Sequence, residues 1–273
     1  MSCICFIGGG NMASAIIGGL YKRVPKGTGQ SSIRVAEPLK AARTQLEARF
    51  PVETFADGKQ AIEGADTIIL AVKPQIIPQV LEQIGSKIQP GQLIISIAAG
   101  TTCETIENEL HRETAVVRAM PNLPAVVDAG ITGLYANPHC RQKDKDRAKE
   151  ILSAVGQVIW IDKENLMDAV TAVSGTGPAY VFYLVEAMRD AGVAAGLSTE
   201  TATELALYTV IGSGQLALSE PADVAELRQR VTSPGGTTAA AVAVLDGAGC
   251  DEILRQAVIA ARDRGRELSR TAL

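Results

Sequence analysis

Aromatic residues are scarce in this chain. Phenylalanine, tyrosine and tryptophan make up 4% of it, with a single tryptophan. A core must therefore be packed from Ala, Ile, Leu and Val. Histidine is nearly absent as well: His111 and His139 are the only two, and both read as surface helix or loop residues. No histidine-based metal site is expected, and no metal at all. The five cysteines, Cys3, Cys5, Cys103, Cys140 and Cys250, form no Cys-x-x-Cys pair. An odd, scattered set reads as buried free thiols in a reducing compartment, not as a disulfide framework. A net charge of −4 without a dense run of Lys and Arg leaves no electrostatic footprint for nucleic acid. No apolar run approaches the ~20 residues of a membrane helix. Residues 1–7 are too short and lack the basic leader of a secretory signal, so a cytoplasmic location is expected.

What is present is ordinary globular composition, 47% hydrophobic and 21% charged over 273 residues, enough for two modest domains or one large one. The first half alternates β-rich runs, at residues 4–7, 33–36, 67–72, 93–97, 115–118, 131–136 and 158–161, with helical stretches at 13–22, 39–49, 75–85, 103–111 and 142–155. Such alternation predicts a mostly parallel sheet covered on both faces. Thr101-Thr102-Cys103-Glu104 reads as a capping box, with Glu104 reaching back to the orphan amides. After residue 161 the pattern turns helical, at 166–173, 179–195, 199–218, 222–230, 238–245 and 251–271, with Ser198 a fair N-cap. The expected organisation is a doubly wound α/β Rossmann domain over residues 1–162 and an all-α domain over residues 163–273.

The strongest local motif is Gly8-Gly9-Gly10-Asn11-Met12-Ala13, a G-x-G-x-x-A run directly after a strand and directly before an apolar helix. Gly8 permits the tight turn and Gly10 the close approach of a pyrophosphate. Ala13 lets the helix pack on the strand, and the helix N-terminus offers amides and a positive dipole end. The expected cofactor is NADPH or NADH. Glu37, at the end of the second strand, suits the ribose hydroxyls of NAD, whereas Arg34, Lys40 and Arg43 nearby suit a 2′-phosphate. Ala71, Val72 and Lys73, with Ala98 and Gly100, end two further strands on the same crevice.

Three segments stand out beyond this. In Arg118-Ala119-Met120-Pro121-Asn122-Leu123-Pro124, Asn122 offers an amide to the nicotinamide carboxamide or to a substrate, or else a hydrogen bond inside a proline-shaped turn. Residues 174–180, Ser-Gly-Thr-Gly-Pro-Ala-Tyr, join two helices. In residues 231–238, Ser233, Gly235, Gly236, Thr237 and Thr238 gather free amides and hydroxyls at a helix start, a receptor for a carboxylate or phosphate.

The order GGGNMA, AVKP, SIAAG, RAMPNLP, VSGTGPAY and VTSPGGTT resembles the pyrroline-5-carboxylate reductase family over essentially the whole chain. The resemblance implies a Rossmann domain, a helical domain that dimerises by interleaving helices, and a homodimer or larger homo-oligomer. It implies NAD(P)H-dependent reduction of 1-pyrroline-5-carboxylate to L-proline, the last step of proline biosynthesis. Gly8, Gly10, Asn11 and Met12 are similar to the family's pyrophosphate loop. Ala71, Val72, Lys73, Ala98 and Gly100 are similar to its nicotinamide-side strand ends, and Asn122 to its MPN asparagine. Thr176, Gly235, Gly236, Thr237 and Thr238 are similar to its substrate loops; on their chemistry, the hydroxyl of either Thr176 or Thr238 is expected to hydrogen-bond the ring nitrogen. Many members carry Ser, Asn or Arg at the turn of residues 36–38, so Glu37 is a departure. The nearest rival is a hydroxyacid dehydrogenase, which needs a helical lysine a few residues past the second-domain glycine turn. Here that place reads Pro178-Ala179-Tyr180-Val181-Phe182-Tyr183. A redox sensor that binds NAD(P)H without turnover has no use for a second anion receptor.

Overall fold

The computed structural model describes residues 2–23 and 32–271. The chain divides into two compact units, one of residues 1–175 with 261–273 and one of residues 176–260. The first is built on eight strands: β1 (Cys3–Ile7), β2 (Ser32–Ala36), β3 (Glu53–Phe55), β4 (Thr67–Leu70), β5 (Leu93–Ser96), β6 (Val116–Met120), β7 (Gly130–Ala136) and β8 (Gly156–Trp160). Their spatial order is 3-2-1-4-5-6-7-8, and only the β6–β7 pair is antiparallel. Strand order reverses at β1, between β2 and β4, which puts the topological switch point beside the glycine motif. The two-residue side-chain period of the strands divides the core. Cys3, Cys5, Ile7, Ile68, Leu70 and Ile94 face one layer, and Ile4, Phe6, Ile33, Val35, Ile69 and Ile95 the other.

Helices α3 (Gly58–Ala61), α4 (Ile77–Ile84) and α5 (Cys103–Leu110) supply apolar residues to the first layer. Helices α1 (Asn11–Arg23), α2 (Lys40–Arg49) and α6 (Gln142–Leu152) supply the second. A short α7 (Met167–Val170) runs straight into a π-turn, Thr171–Gly175. The doubly wound α/β expectation holds. Sequence reading omitted β3 and α3 because a three-residue strand and a four-residue helix carry no measurable period. One cap is corrected. Thr102, not Thr101, is the N-cap of α5, its hydroxyl accepting from Thr105 N at 3.0 Å. Glu104 therefore sits a residue too early to close a capping box. The amide of Cys103 donates instead to Glu164 Oε1, 61 residues away, at 2.8 Å.

Cys3, Cys5 and Cys103 are buried free thiols as expected, while Cys140 is only partly buried and Cys250 is exposed. Burial pushes the Cys5 thiol up to about 12 and raises that of Cys103, which disfavours the reactive thiolate.

The elements of the second unit are all helices: α8 (Gly177–Ala194), α9 (Thr199–Ser219), α10 (Val224–Arg230), α11 (Thr237–Gly247) and the start of α12 (Cys250–Thr271). Ser198 caps α9 as expected, its hydroxyl accepting from Thr201 N at 3.2 Å. Gly192 and Ala202 let α8 and α9 approach closely. Yet only Ala202 and Ala206 are buried in this unit, while Phe182, Tyr208, Ile211, Leu218 and Val244 stand exposed. No described helix is long and apolar enough to cross a membrane. These helices carry an apolar surface that a single chain does not cover.

Candidate functional site

The crevice at the carboxyl ends of β1, β2 and β4 is shaped by the glycine motif. Gly8 has φ of 102°, and its N–H donates to Ala36 O at 2.8 Å. A Cβ there would stand 2.6 Å from the carbonyl oxygen of Ala71, so the β1 and β4 ends meet only because Gly8 has none. Gly10 is different: it is exposed, and a Cβ would meet nothing within 4 Å. Open space thus lies directly in front of α1. That helix carries no acidic residue in its first turn, and its leading amides and positive dipole end are free to receive an anion. Ala13 is 1% exposed, packed where the motif requires a small residue. The cavity in front of the motif measures about 700 Å³. A dinucleotide pyrophosphate fits these residues, because the one place it must approach is the one left open.

The cavity gathers Gly8, Gly10, Glu37, Ala71, Val72 and Lys73. Asn11 and Met12 stand at the head of α1. Ala98 is placed otherwise: it is 4% exposed and belongs to the core layer under α4 and α5. Gly100 takes φ of 78° and lies against Ser269 in the last turns of α12. Sequence reading missed Leu39 and Ile76, which are 67% and 42% exposed and form apolar walls of the same cavity. An exposed leucine just past an Ala-Glu-Pro turn was the available signal.

Glu37 is held at the mouth of the crevice. Its Oε2 accepts from Gly9 N at 3.2 Å and its Oε1 from Leu39 N at 3.0 Å. The carboxylate is thereby fixed beside the glycine loop. Of the neighbouring cations, Arg34 pairs with Glu53 at 3.1 Å, donates to Glu63 O and stacks on Phe55. Arg43 donates to the carbonyls of Glu37 and Pro38 at 2.8 and 2.9 Å, which leaves it at the turn, and Lys40 is exposed.

Asn122 is 9% exposed, and its amide is committed inside the protein. Its Nδ2 donates to Ser174 O at 3.1 Å and its Oδ1 accepts from Ile131 N at 3.0 Å. The amide is thus turned inward, but its partners lie 52 and 9 residues away and not inside the proline-shaped turn. The same unit holds a polar cluster that no spacing announced. Arg118, 5% exposed on β6, faces Glu164 at 3.5 Å and Asp168 at 3.6 Å.

In the second unit Thr176 precedes α8 and Pro178 lies in its first turn. Gly235 has φ of 70° with no atom near its missing Cβ, and Gly236 is the N-cap of α11, its N–H donating to Ser233 O at 3.0 Å. Thr237 opens α11, and Thr238 is half-buried behind it. No acidic residue occupies that first turn. This helix start therefore carries leading amides and two threonine hydroxyls with no acidic neighbour in its first turn, a composition suited to a carboxylate.

Comparison with known proteins covers both units. The family described as pyrroline-5-carboxylate reductase dimerisation matches residues 164–268, and the one described as NADP oxidoreductase, coenzyme F420-dependent, matches residues 3–100. The chain is 44% identical to the pyrroline-5-carboxylate reductase of Pseudomonas aeruginosa over 266 residues, covering 97% of this chain and 96% of that one. The structure of a pyrroline-5-carboxylate reductase from Coxiella burnetii matches with a TM-score of 0.92 at 40% identity, over 98% of each chain. That of Plasmodium falciparum pyrroline carboxylate reductase with NADP bound matches with a TM-score of 0.85 at 30% identity, again over 98% of each.

Two outcomes are expected at the crevice. Gly10→Val fills open space, so thermal stability should stay at the wild-type level while dinucleotide affinity, read by fluorescence titration, falls at least tenfold. Gly8→Ala should instead lower stability, since φ strain of about 1–3 kcal/mol adds to the contact with Ala71. Replacing Glu37 with Ser removes a fixed negative charge from the place of a 2′-phosphate, an effect on the order of a kcal/mol. The ratio of catalytic efficiency with NADPH to that with NADH should rise severalfold.

Proposed function

The chain belongs to the pyrroline-5-carboxylate reductase family, and on that premise we propose that it reduces 1-pyrroline-5-carboxylate to L-proline with NADPH or NADH. One observation carries the reading: a single chain holds a dinucleotide crevice with an open approach at Gly10 and a second helix N-terminus, at Gly235–Thr238, built for another anion. A bound reduced nicotinamide supplies the hydride. Gly8, Gly10, Asn11 and Met12 hold its pyrophosphate, Glu37 its adenosine ribose, and Ala71, Val72 and Lys73 flank its path.

The substrate carboxylate docks on the amides and hydroxyls of Thr237 and Thr238, while Ser233, Gly235 and Gly236 shape the turn, the Gly236 N–H closing it on Ser233 O. The hydroxyl of Thr176 or Thr238 holds the ring nitrogen and so fixes the face presented for reduction. The protonated imine accepts hydride at the carbon of its C=N bond, and the electron pair of that bond stays on nitrogen as the amine forms. No side chain with the chemistry of a strong general acid is needed when the iminium binds already protonated.

Residues 163–273 act as the substrate-binding and dimerisation half of this scheme, and residues 1–162 as the cofactor half. The working unit is a homodimer or a larger homo-oligomer, because α8 to α11 leave their apolar residues exposed in one chain. A cytoplasmic location suits the free thiols at Cys3, Cys5 and Cys103.

The test is NAD(P)H oxidation with the pyrroline acid, with 2-oxo and 3-oxo acids, and with no substrate. Turnover is expected only with the first, and preference for an oxo acid overturns the assignment. Thr238→Ala removes a hydroxyl from a charged partner, a loss of about 1.5–3 kcal/mol. It should weaken use of the imine acid by one to two decades at unchanged cofactor affinity. Ile211→Glu, on the exposed stripe of α9, should lower assembly and activity together, as read by sedimentation at assay concentration. A monomer of full activity overturns the oligomeric reading.

A further inference from the structure

We infer that Asn122 is a positioning residue: it acts on the reaction by fixing the π-turn that leads into Thr176, without touching dinucleotide or substrate. The inference rests on the assignment of Thr176 to the substrate site. Four observations carry it. First, each end of the Asn122 amide is engaged by backbone, with Nδ2 donating to Ser174 O at 3.1 Å and Oδ1 accepting from Ile131 N at 3.0 Å. A carbonyl and an N–H as partners fix the orientation of the amide without ambiguity. Second, the residue is 9% exposed, so those bonds are partly shielded from water.

Third, the segment it holds is a π-turn, Thr171–Gly175, wider than an α-helix and common where a chain serves a site. Inside that turn the hydroxyls of Thr171 and Ser174 bond back to Met167 O and Val170 O, at 3.0 and 2.9 Å. These bonds tie the turn to α7 but not to the sheet. Fourth, Asn122 adds a hydrogen-bonded tie to the sheet, beside the packing of Val170 on Gly133 of β7. Asn122 stands two residues past the end of β6, and its other bond reaches Ile131 at the start of β7. Gly175 is pressed against the same place, for a Cβ on it would stand 2.5 Å from Met120 Cε. The carbonyl that Asn122 grips lies two residues before Thr176, so loss of the grip shifts the hydroxyl that follows. Small displacements of a positioning group are costly in rate.

Asn122→Asp tests this with a near-isosteric change. The carboxylate still accepts from Ile131 N but sets an acceptor against the acceptor Ser174 O. Above the carboxyl's titration, KM for the pyrroline acid should rise at least tenfold while the dissociation constant for NADPH stays within twofold. As pH falls and the acid regains a proton to donate, the ratio of variant to wild-type KM should return toward one. Amide hydrogen exchange over residues 175–179 should quicken at least tenfold in the same variant, a readout that needs no turnover.

Gly175→Val presses the joint from its other side, and Met120→Ala in the same chain should restore most of the lost KM. This pair decides the matter if Asn122→Asp does not fold. A fall in NADPH affinity that matches the rise in KM overturns the inference, because Asn122 then touches the dinucleotide. So does faster exchange with KM unmoved, or a Gly175→Val defect that Met120→Ala leaves in place. Failure of the wild-type protein to reduce the pyrroline acid overturns the functional reading instead, and the exchange measurement still reports the joint on its own.

Discussion

The cofactor end of this protein is organised by the contact of Gly8 with the end of β4. Parallel pairing of β1 and β4 in register, Ile7 opposite Leu70, brings the two strand ends level. The chain must then turn away from β1 within reach of the Ala71 carbonyl, and only a residue without a side chain passes there. Everything on the rim follows from that passage. The Gly8 amide is turned to Ala36 O, the Gly9 amide to the Glu37 carboxylate, and Gly10 is left facing space. One backbone conformation thus sets the distance between the β1, β2 and β4 loops and leaves the head of α1 open.

How much of this the sequence discloses depends on sequence separation. The glycine motif, the alternation of strand and helix and the Ser198 cap are local, and local periodicity with cap chemistry reads them correctly. The details that escape are held by long-range partners. Glu164 satisfies the amide of Cys103 across 61 residues, and Asn122 takes Ser174 across 52. Arg118 finds Glu164 across 46. A capping box read at Thr101 fails by one residue for the same reason, since a distant carboxylate does part of the capping. Asn122 is the instructive case. Its residue type and its turn were legible, but whether its amide faced outward or inward depended on where residue 174 returns in the fold.

Charge placement follows a rule that the net charge conceals. Helices α5, α6, α9, α10 and α12 each carry an acidic residue in the first turn, the usual complement to the helix dipole. Helices α1, α8 and α11 carry none, and these are the helices at the heads of the candidate sites. The α2 and α4 helices also lack one, so the absence alone does not define a site. Joined to an open approach, at Gly10 before α1 and at Gly235 before α11, it does distinguish a dipole left for a ligand from one already neutralised.

The second unit puts a different constraint on the same chemistry. The loop of Ser233 to Thr238 is strung between α10 and α11, and neither helix buries a single residue of its own in one chain. A loop is only as fixed as the elements that anchor it, and anchors with no core have little to resist their movement. The cofactor crevice, by contrast, stands on a sheet whose central residues are wholly buried, Cys5 and Phe6 among them. The two candidate sites therefore differ in how they acquire rigidity. The crevice draws it from packing within its own unit, whereas the Gly235–Thr238 loop must draw it from whatever covers α8 to α11. Covering those apolar faces with a second copy of the chain supplies both burial and anchorage, so that under the proposed assignment of the loop to substrate, association and recognition become a single physical event.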